Sequence, residues 1–160
     1  MIETKPPVTQ ALRFLKDHGI PFVIHSYKYE EHGGTVVAAR ELAADEHLVI
    51  KTLVFETETH EPLIVLMHGD KEVSAKNLAR LIGVKSVTPC SPEAAQKHTG
   101  YMVGGISPFG TRKRLNVYME KTIADLPALY INAGKRGLLA KISPQDLIRL
   151  LTPETVDIAA

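Results

Sequence analysis

Apolar positions along the chain repeat with two different periods. In "VTQALRFLKDHG", Val8, Leu12 and Leu15 share one helical face, and Gly19 follows as a stop. "FVIHSY" (22–27) reads as a strand, and "TVVAARELAA", behind the loop "EEHGG", as a helix starting near Thr35. "LVIKTLVF" and "PLIVLMH" are strand-sized apolar runs joined by "ETETHE", which predicts a paired hairpin. "SAKNLARLIG" is a helix capped by Ser74 and closed by Gly83. "SPEAAQKHTG" has Ser91 as N-cap, Pro92 at the first helical position, Glu93 at the positive helix end and Gly100 as the stop. Strands are predicted near "LNVYME", "ALYINAG" and "GLLAKI", and "SPQDLIRLL" is a final helix whose Asp146 serves the Ser143 cap. Helices alternate with strands, yet two or more strand pairs look antiparallel. The expectation is one α+β domain over residues 1–160, with a mixed sheet, not a doubly wound parallel fold.

One stretch fits neither period. "TGYMVGGISPFGTRKR" (99–114) carries Gly100, Gly104, Gly105 and Gly110 with Pro108, too many breakers for a helix or a central strand. It is either a plain connector or a place where a ligand approaches the main chain. The cations that follow it, Arg112, Lys113 and Arg114, and a second pair, Lys135 and Arg136, flank glycine turns. If the turns meet, they form a small anion-binding concavity; otherwise they are solvated surface.

Lys51 interrupts a strand that is apolar on both faces: Val49, Leu53 and Phe55 on its own side, Leu48, Ile50, Thr52 and Val54 on the other. It either snorkels at a sheet edge or stands at the floor of a pocket, poised for an anion. Cys90, just before a helix N-terminus, invites a nucleophile assignment, but a small buried apolar side chain accounts for it better. Ser107 lies in G-x-S-x-x-G, one residue too long for a nucleophile elbow. Pro108 after it has no N–H for an oxyanion hole, so a serine hydrolase is rejected. The seven histidines form no H-E-x-x-H or H-x-H, so no metal or other cofactor is expected, although some could converge in space.

Bulk properties narrow the partners. With 160 residues, 44% hydrophobic and 23% charged, the chain can bury a substantial core. A net charge of +1 argues against wrapping a long nucleic acid, and no DNA partner is expected, although a local patch can grip a few phosphates. One cysteine cannot form an internal disulfide. "MIETKPPVTQ" lacks a basic start followed by an apolar stretch, and no run reaches membrane-spanning length. A cytoplasmic protein without a membrane partner is expected.

Taken together, "IKTLVF", "AAQKHTGYMVGGISPFGTRKR" and "YINAGKRG" resemble the YbaK family, the free-standing relatives of the editing domain inserted in bacterial prolyl-tRNA synthetases. The resemblance runs from about Thr9 to Ile158. It implies a curled, barrel-like, largely antiparallel mixed sheet with helices outside. It also implies hydrolysis of the ester between a mischarged amino acid and the terminal adenosine of tRNA. Lys51 matches the family's functional lysine, which binds the substrate's 3′ end, Tyr27 a tyrosine of the YbaK branch, and Gly104 a pocket glycine. By the same resemblance Thr52, Gly105, Ile106, Ser107, Pro108, Phe109, Asn132 and Gly134 join the substrate site, and the five loop cations meet tRNA phosphate. Asn132 stands where the branch commonly has serine, and Leu139 where some members carry aspartate. The intact "GGISPFGTRKR" points to Cys-tRNA(Pro) over Ala-tRNA(Pro). The implied chemistry is substrate-assisted: the cysteinyl thiol attacks its own ester while the protein positions it. The implied partners are the CCA end of an aminoacyl-tRNA and prolyl-tRNA synthetase. A non-catalytic aminoacyl- or nucleotide-binding module is the alternative.

Overall fold

The computed structural model describes residues 8–160; the first seven residues of "MIETKPPVTQ", where no leader is expected, lie outside the described residues. The elements follow in the order α1 (Gln10–Asp17), β1 (Val23–Ser26), α2 (Gly34–Leu42), β2 (Val49–Thr57), β3 (Pro62–His68), α3 (Ala75–Ile82), β4 (Val87–Pro89), α4 (Pro92–Thr99), β5 (Asn116–Glu120), β6 (Leu129–Lys135), β7 (Leu138–Ile142), α5 (Pro144–Leu151) and β8 (Glu154–Val156). Hydroxyl caps set four helix starts: Thr9, Ser74, Ser91 and Ser143 each accept from the backbone N–H three residues on. The Thr9 cap corrects one expectation. It starts α1 after Val8, so Val8 is left 75% exposed, and Ala11 joins Leu12 and Leu15 on the buried face.

The sheet runs β1-β7-β6-β2-β3-β5-β8, with β4 added to β2. Four pairings are antiparallel and three, β2 with β6, β3 with β5 and β5 with β8, are parallel. The α+β class and mixed sheet are as expected; among the described residues the sheet does not close into a barrel, its strand order ending at β1 and β8, with β4 paired only to β2. The short β4 and β8 carry too few residues for their periodicity to show in the sequence.

Alternation along β2 divides the core. Ile50 and Val54 pack with Ile64, Leu66, Met119, Ile131 and Leu12 on one face. On the other face Val49 joins Ala38, Ala39 and Leu139 beneath α2, while Leu53 and Phe55 join Met67, Leu78 and Ile158 beneath α3. Lys51 lies along β2 between those last two clusters and belongs to neither, which leaves a seam between them.

Candidate active site

The edge of β2 is broken at the seam. Val49 and Ile50 pair with β6, and Phe55–Thr57 pair with β4, leaving 51–54 without a strand partner on that side among the described residues, although the Val54 carbonyl accepts from Cys90 N at 3.0 Å. The parallel ladder with β6 stops at Ile50 and Ile131, next to the point where the register of β6 with β7 shifts, between Asn132 and Lys135. One further step along the two strands brings Lys51 and Asn132 to the same face.

Lys51 keeps a side chain 20% exposed, and its ammonium donates to the Lys71 carbonyl at 2.7 Å and to Glu72 Oε1 at 3.3 Å. A lysine in a strand must recover its hydration from such partners. Next to it, Thr52 points to the opposite face. Its hydroxyl is shut off from solvent and has no hydrogen-bond partner among the described residues.

Asn132 ties the glycine loop to this face. Its Nδ2 donates to the carbonyls of Gly104 and Lys135, both at 3.2 Å, and its Oδ1 accepts from Gly134 N at 2.7 Å. Gly104 has φ +92°, and a Cβ there would lie 2.5 Å from the Tyr29 hydroxyl. A Cβ on Gly105 would lie 2.8 Å from the Arg136 backbone nitrogen. Glycine is therefore required for the loop to reach the β6–β7 turn. Arg136 Nε donates to the Val103 carbonyl at 2.9 Å, and its guanidinium lies 5.0 Å from the Tyr29 ring centroid.

The turns with Gly104 and with Lys135 and Arg136 thus meet. Arg112, Lys113 and Arg114 lie at the other end of the glycine loop. The backbone N–H groups of Arg112 and Lys113 donate to Thr99 and His98 at the end of α4, and Lys113 Nζ reaches His98 Nδ1 at 3.1 Å. Among the described residues none of these five cations has a carboxylate within ion-pair distance.

The other sequence candidates lie deeper. Tyr27 packs against the Val49 and Leu139 cluster, where burial, followed by the neighbouring Tyr29, raises its phenol pKa. Ile106, Ser107, Pro108 and Phe109 are buried, Ile106 and Phe109 in the cluster on the face away from Lys51. Ser107 Oγ accepts from Phe109 N at 3.2 Å, so its hydroxyl bridges the proline instead of facing solvent. Gly134, φ +94°, abuts Tyr101 and Thr9. Cys90 is half-buried, and burial, with the charge and hydrogen bond of Glu56, pushes its thiol up to about 11. It is a thiol at neutral pH, not a ready nucleophile.

Sequence reasoning missed the turn after β3. It also missed Tyr29, two residues beyond Tyr27 in the same alternation. His47, His68 and Asp70 do converge, with ligand-capable atoms within 4.8 Å of one another. Three of their four ring nitrogens already have hydrogen-bond partners. His68 Nδ1 meets the His47 carbonyl at 2.8 Å and its Nε2 meets Thr122 Oγ1 at 2.7 Å; His47 Nδ1 meets Asp70 at 2.9 Å, and the two rings stack at 3.7 Å. Both nitrogens of His68 are thus engaged, and the cluster as it stands is a hydrogen-bonded group.

Comparison with known proteins matches the aminoacyl-tRNA editing domain to residues 30–150. A proposed Cys-tRNA(Pro)/Cys-tRNA(Cys) deacylase, EbsC of Enterococcus faecalis, is 27% identical over 94% of this chain and 92% of its own. Part of the proline–tRNA ligase of Streptococcus equi subsp. zooepidemicus is 32% identical over 58% of this chain, a span that is 15% of the ligase. The crystal structure of a proposed trans-editing enzyme for prolyl-tRNA synthetase superposes with a TM-score of 0.83 at 22% identity, covering 97% of this chain and 99% of the other. That likeness establishes the fold.

Proposed function

The chain belongs to the aminoacyl-tRNA editing domain family, and from that premise we propose that it is a free-standing deacylase of mischarged tRNA, with Cys-tRNA(Pro) as its first substrate. The observation that carries the proposal is the placement of Lys51: an ammonium in a seam of the sheet, beside the unpaired edge of β2 and on the same face as the Asn132-braced Gly104 loop. A cation there suits the ribose and phosphate of the CCA end. The loop's main chain stands where the aminoacyl ester would lie, too close to neighbours to admit a side chain.

The protein's part is to bind and orient. Ser107 is buried and engaged, and Cys90 is held protonated, so neither supplies a nucleophile. With a cysteinyl ester, the substrate's thiol forms the new sulfur–carbon bond and the ester carbon–oxygen bond breaks. The thiol proton ends on the ribose hydroxyl, and water opens the resulting thiolactone to cysteine. Lys51 and the loop hold ester and thiol in the geometry for that step. The activity would serve translation fidelity in the cytoplasm, with prolyl-tRNA synthetase as the partner that supplies tRNA choice. No helix among the described residues is long and apolar enough to cross a membrane.

The test is release of amino acid from a panel of aminoacyl-tRNAs by substoichiometric purified protein. Multiple turnovers on Cys-tRNA(Pro), above Ala-tRNA(Pro), support the assignment. Turnover of the alanyl ester in preference reassigns the substrate, and binding without turnover makes the domain a non-catalytic module.

A further inference from the structure

The ammonium of Lys51 is held by a turn that is itself clamped from both ends. On one side Gly69 is wedged: its N–H donates to the Val49 carbonyl at 2.7 Å, and a Cβ would lie 2.7 Å from the Glu46 and Val49 carbonyls. The Thr35 hydroxyl reaches both the Gly69 carbonyl, at 3.1 Å, and Glu46 Oε2, at 2.8 Å. On the other side the chain's last residues run against the turn. Ser74 N donates to the Ile158 carbonyl at 2.7 Å, Ala160 N donates to the Glu72 carbonyl at 2.8 Å, and Ile158 N is fixed by the buried Glu120 carboxylate at 3.0 Å. Between these clamps stand Asp70 and Lys71. The Lys71 N–H donates to the His68 carbonyl at 3.1 Å, and Asp70 is held through His47 Nδ1 at 2.9 Å. The Lys71 carbonyl is the atom that takes the Lys51 ammonium at 2.7 Å.

We propose that Asp70 and His47 are positioning residues for Lys51: their contact sets the orientation of the Lys71 carbonyl, which aims the ammonium along the seam. The proposal rests on the functional assignment of Lys51 made above. Neither residue touches the substrate. Their effect passes through one backbone carbonyl, and a group displaced by a fraction of an ångström loses much of its value in a site that works by orientation.

Two measurements on the full chain test it. In protein labelled with 15N-lysine, the Lys51 Nζ resonance is identified by its loss in Lys51→Ala. A held ammonium with slow proton exchange is expected in the parent protein. That signal should disappear in Asp70→Ala and be restored by Asp70→Asn, which keeps the acceptor for His47. Absence of a held signal in the parent protein, or an unchanged one in Asp70→Ala, overturns the proposal. Because this measurement reads the amine directly, it decides the positioning role even if Lys51→Ala remains active and the deacylase assignment falls. The second measurement is affinity for a non-hydrolysable, amide-linked 3′-cysteinyl-adenosine. Asp70→Ala should weaken it about tenfold in the parent protein and not further in Lys51→Ala. Equal losses in both backgrounds mean general destabilisation and overturn the proposal.

Discussion

Replacing Lys51 with alanine removes its ammonium from the seam. In the folded protein this side chain is 20% exposed and donates to a fixed carbonyl at 2.7 Å, so it is pre-oriented and partly desolvated. Loss of such a charge from a binding site costs about 2–5 kcal/mol of substrate or transition-state binding. At 1.36 kcal/mol per tenfold, that is about a 30-fold to 5,000-fold fall in kcat/KM. The fold should survive. The Glu72 partner is 85% exposed, so the ion pair itself is worth under about 1 kcal/mol, a loss of a few degrees in Tm for a chain of this size. Lys51→Met, which keeps the apolar stem in the seam, separates packing from charge and should fail in deacylation as Lys51→Ala does. The assay is initial-rate deacylation of Cys-tRNA(Pro), paired with thermal melts of each variant. Deacylation within a few-fold of the parent by a folded Lys51→Ala protein would falsify the role given to this residue.

Cys90→Ser and Ser107→Ala should each keep activity within about tenfold, while Ser107→Ala loses about 1–2 kcal/mol of stability because Phe109 N is left without its acceptor; a drop of three orders of magnitude, or an aminoacyl-enzyme adduct in mass spectrometry, would reinstate an enzyme nucleophile. Cys-tRNA(Pro) and Cys-tRNA(Cys) should be deacylated at similar rates with a shallow salt dependence, because net charge +1 and two short cationic clusters release few counterions; a strong preference for one tRNA body, or a steep slope, reveals an extended RNA-binding face. Acid should destabilise the fold through His68, whose pKa is lowered because burial, helped by the charge of His47, outweighs the hydrogen bond to the His47 carbonyl and the charges of Asp70 and Glu120, which raise it. The neutral ring is the folded form, so this contribution is full above the unfolded value of about 6.5 and is lost as pH falls from there toward the lower folded value. Asp70 does not blur that window: burial works to raise its carboxyl, but the hydrogen bond and charge of His47 outweigh it and the net shift is downward. Melts at pH 7.5 and 5.5 should show a drop that His68→Gln flattens, and an equal drop in that variant would place the acid sensitivity elsewhere.

Local chemistry was legible in the sequence wherever it acts within a few residues. The Ser74, Ser91 and Ser143 caps, the hairpin of β2 and β3, and the α+β class follow from hydroxyls three residues before free N–H groups and from periods of two and 3.6. Lys51 stood out because a charge inside a doubly apolar strand is expensive, and the glycine stretch because its residues exclude regular structure. What the chain order could not supply is which distant segments share a face. The break in the β2 edge lies beside a register shift in β6, about eighty residues away in the chain, and at that shift Asn132 braces Gly104. Ile106–Phe109, which the family resemblance assigns to the substrate site, enter the core on the opposite face because Tyr101, Ile131 and Leu12 surround them there. Likewise nothing along the sequence joins His47, Asp70, Lys71 and the chain's last residues to Lys51. Their meeting depends on non-local hydrogen bonds and close backbone packing, which have no period and leave no pattern in the order of residues.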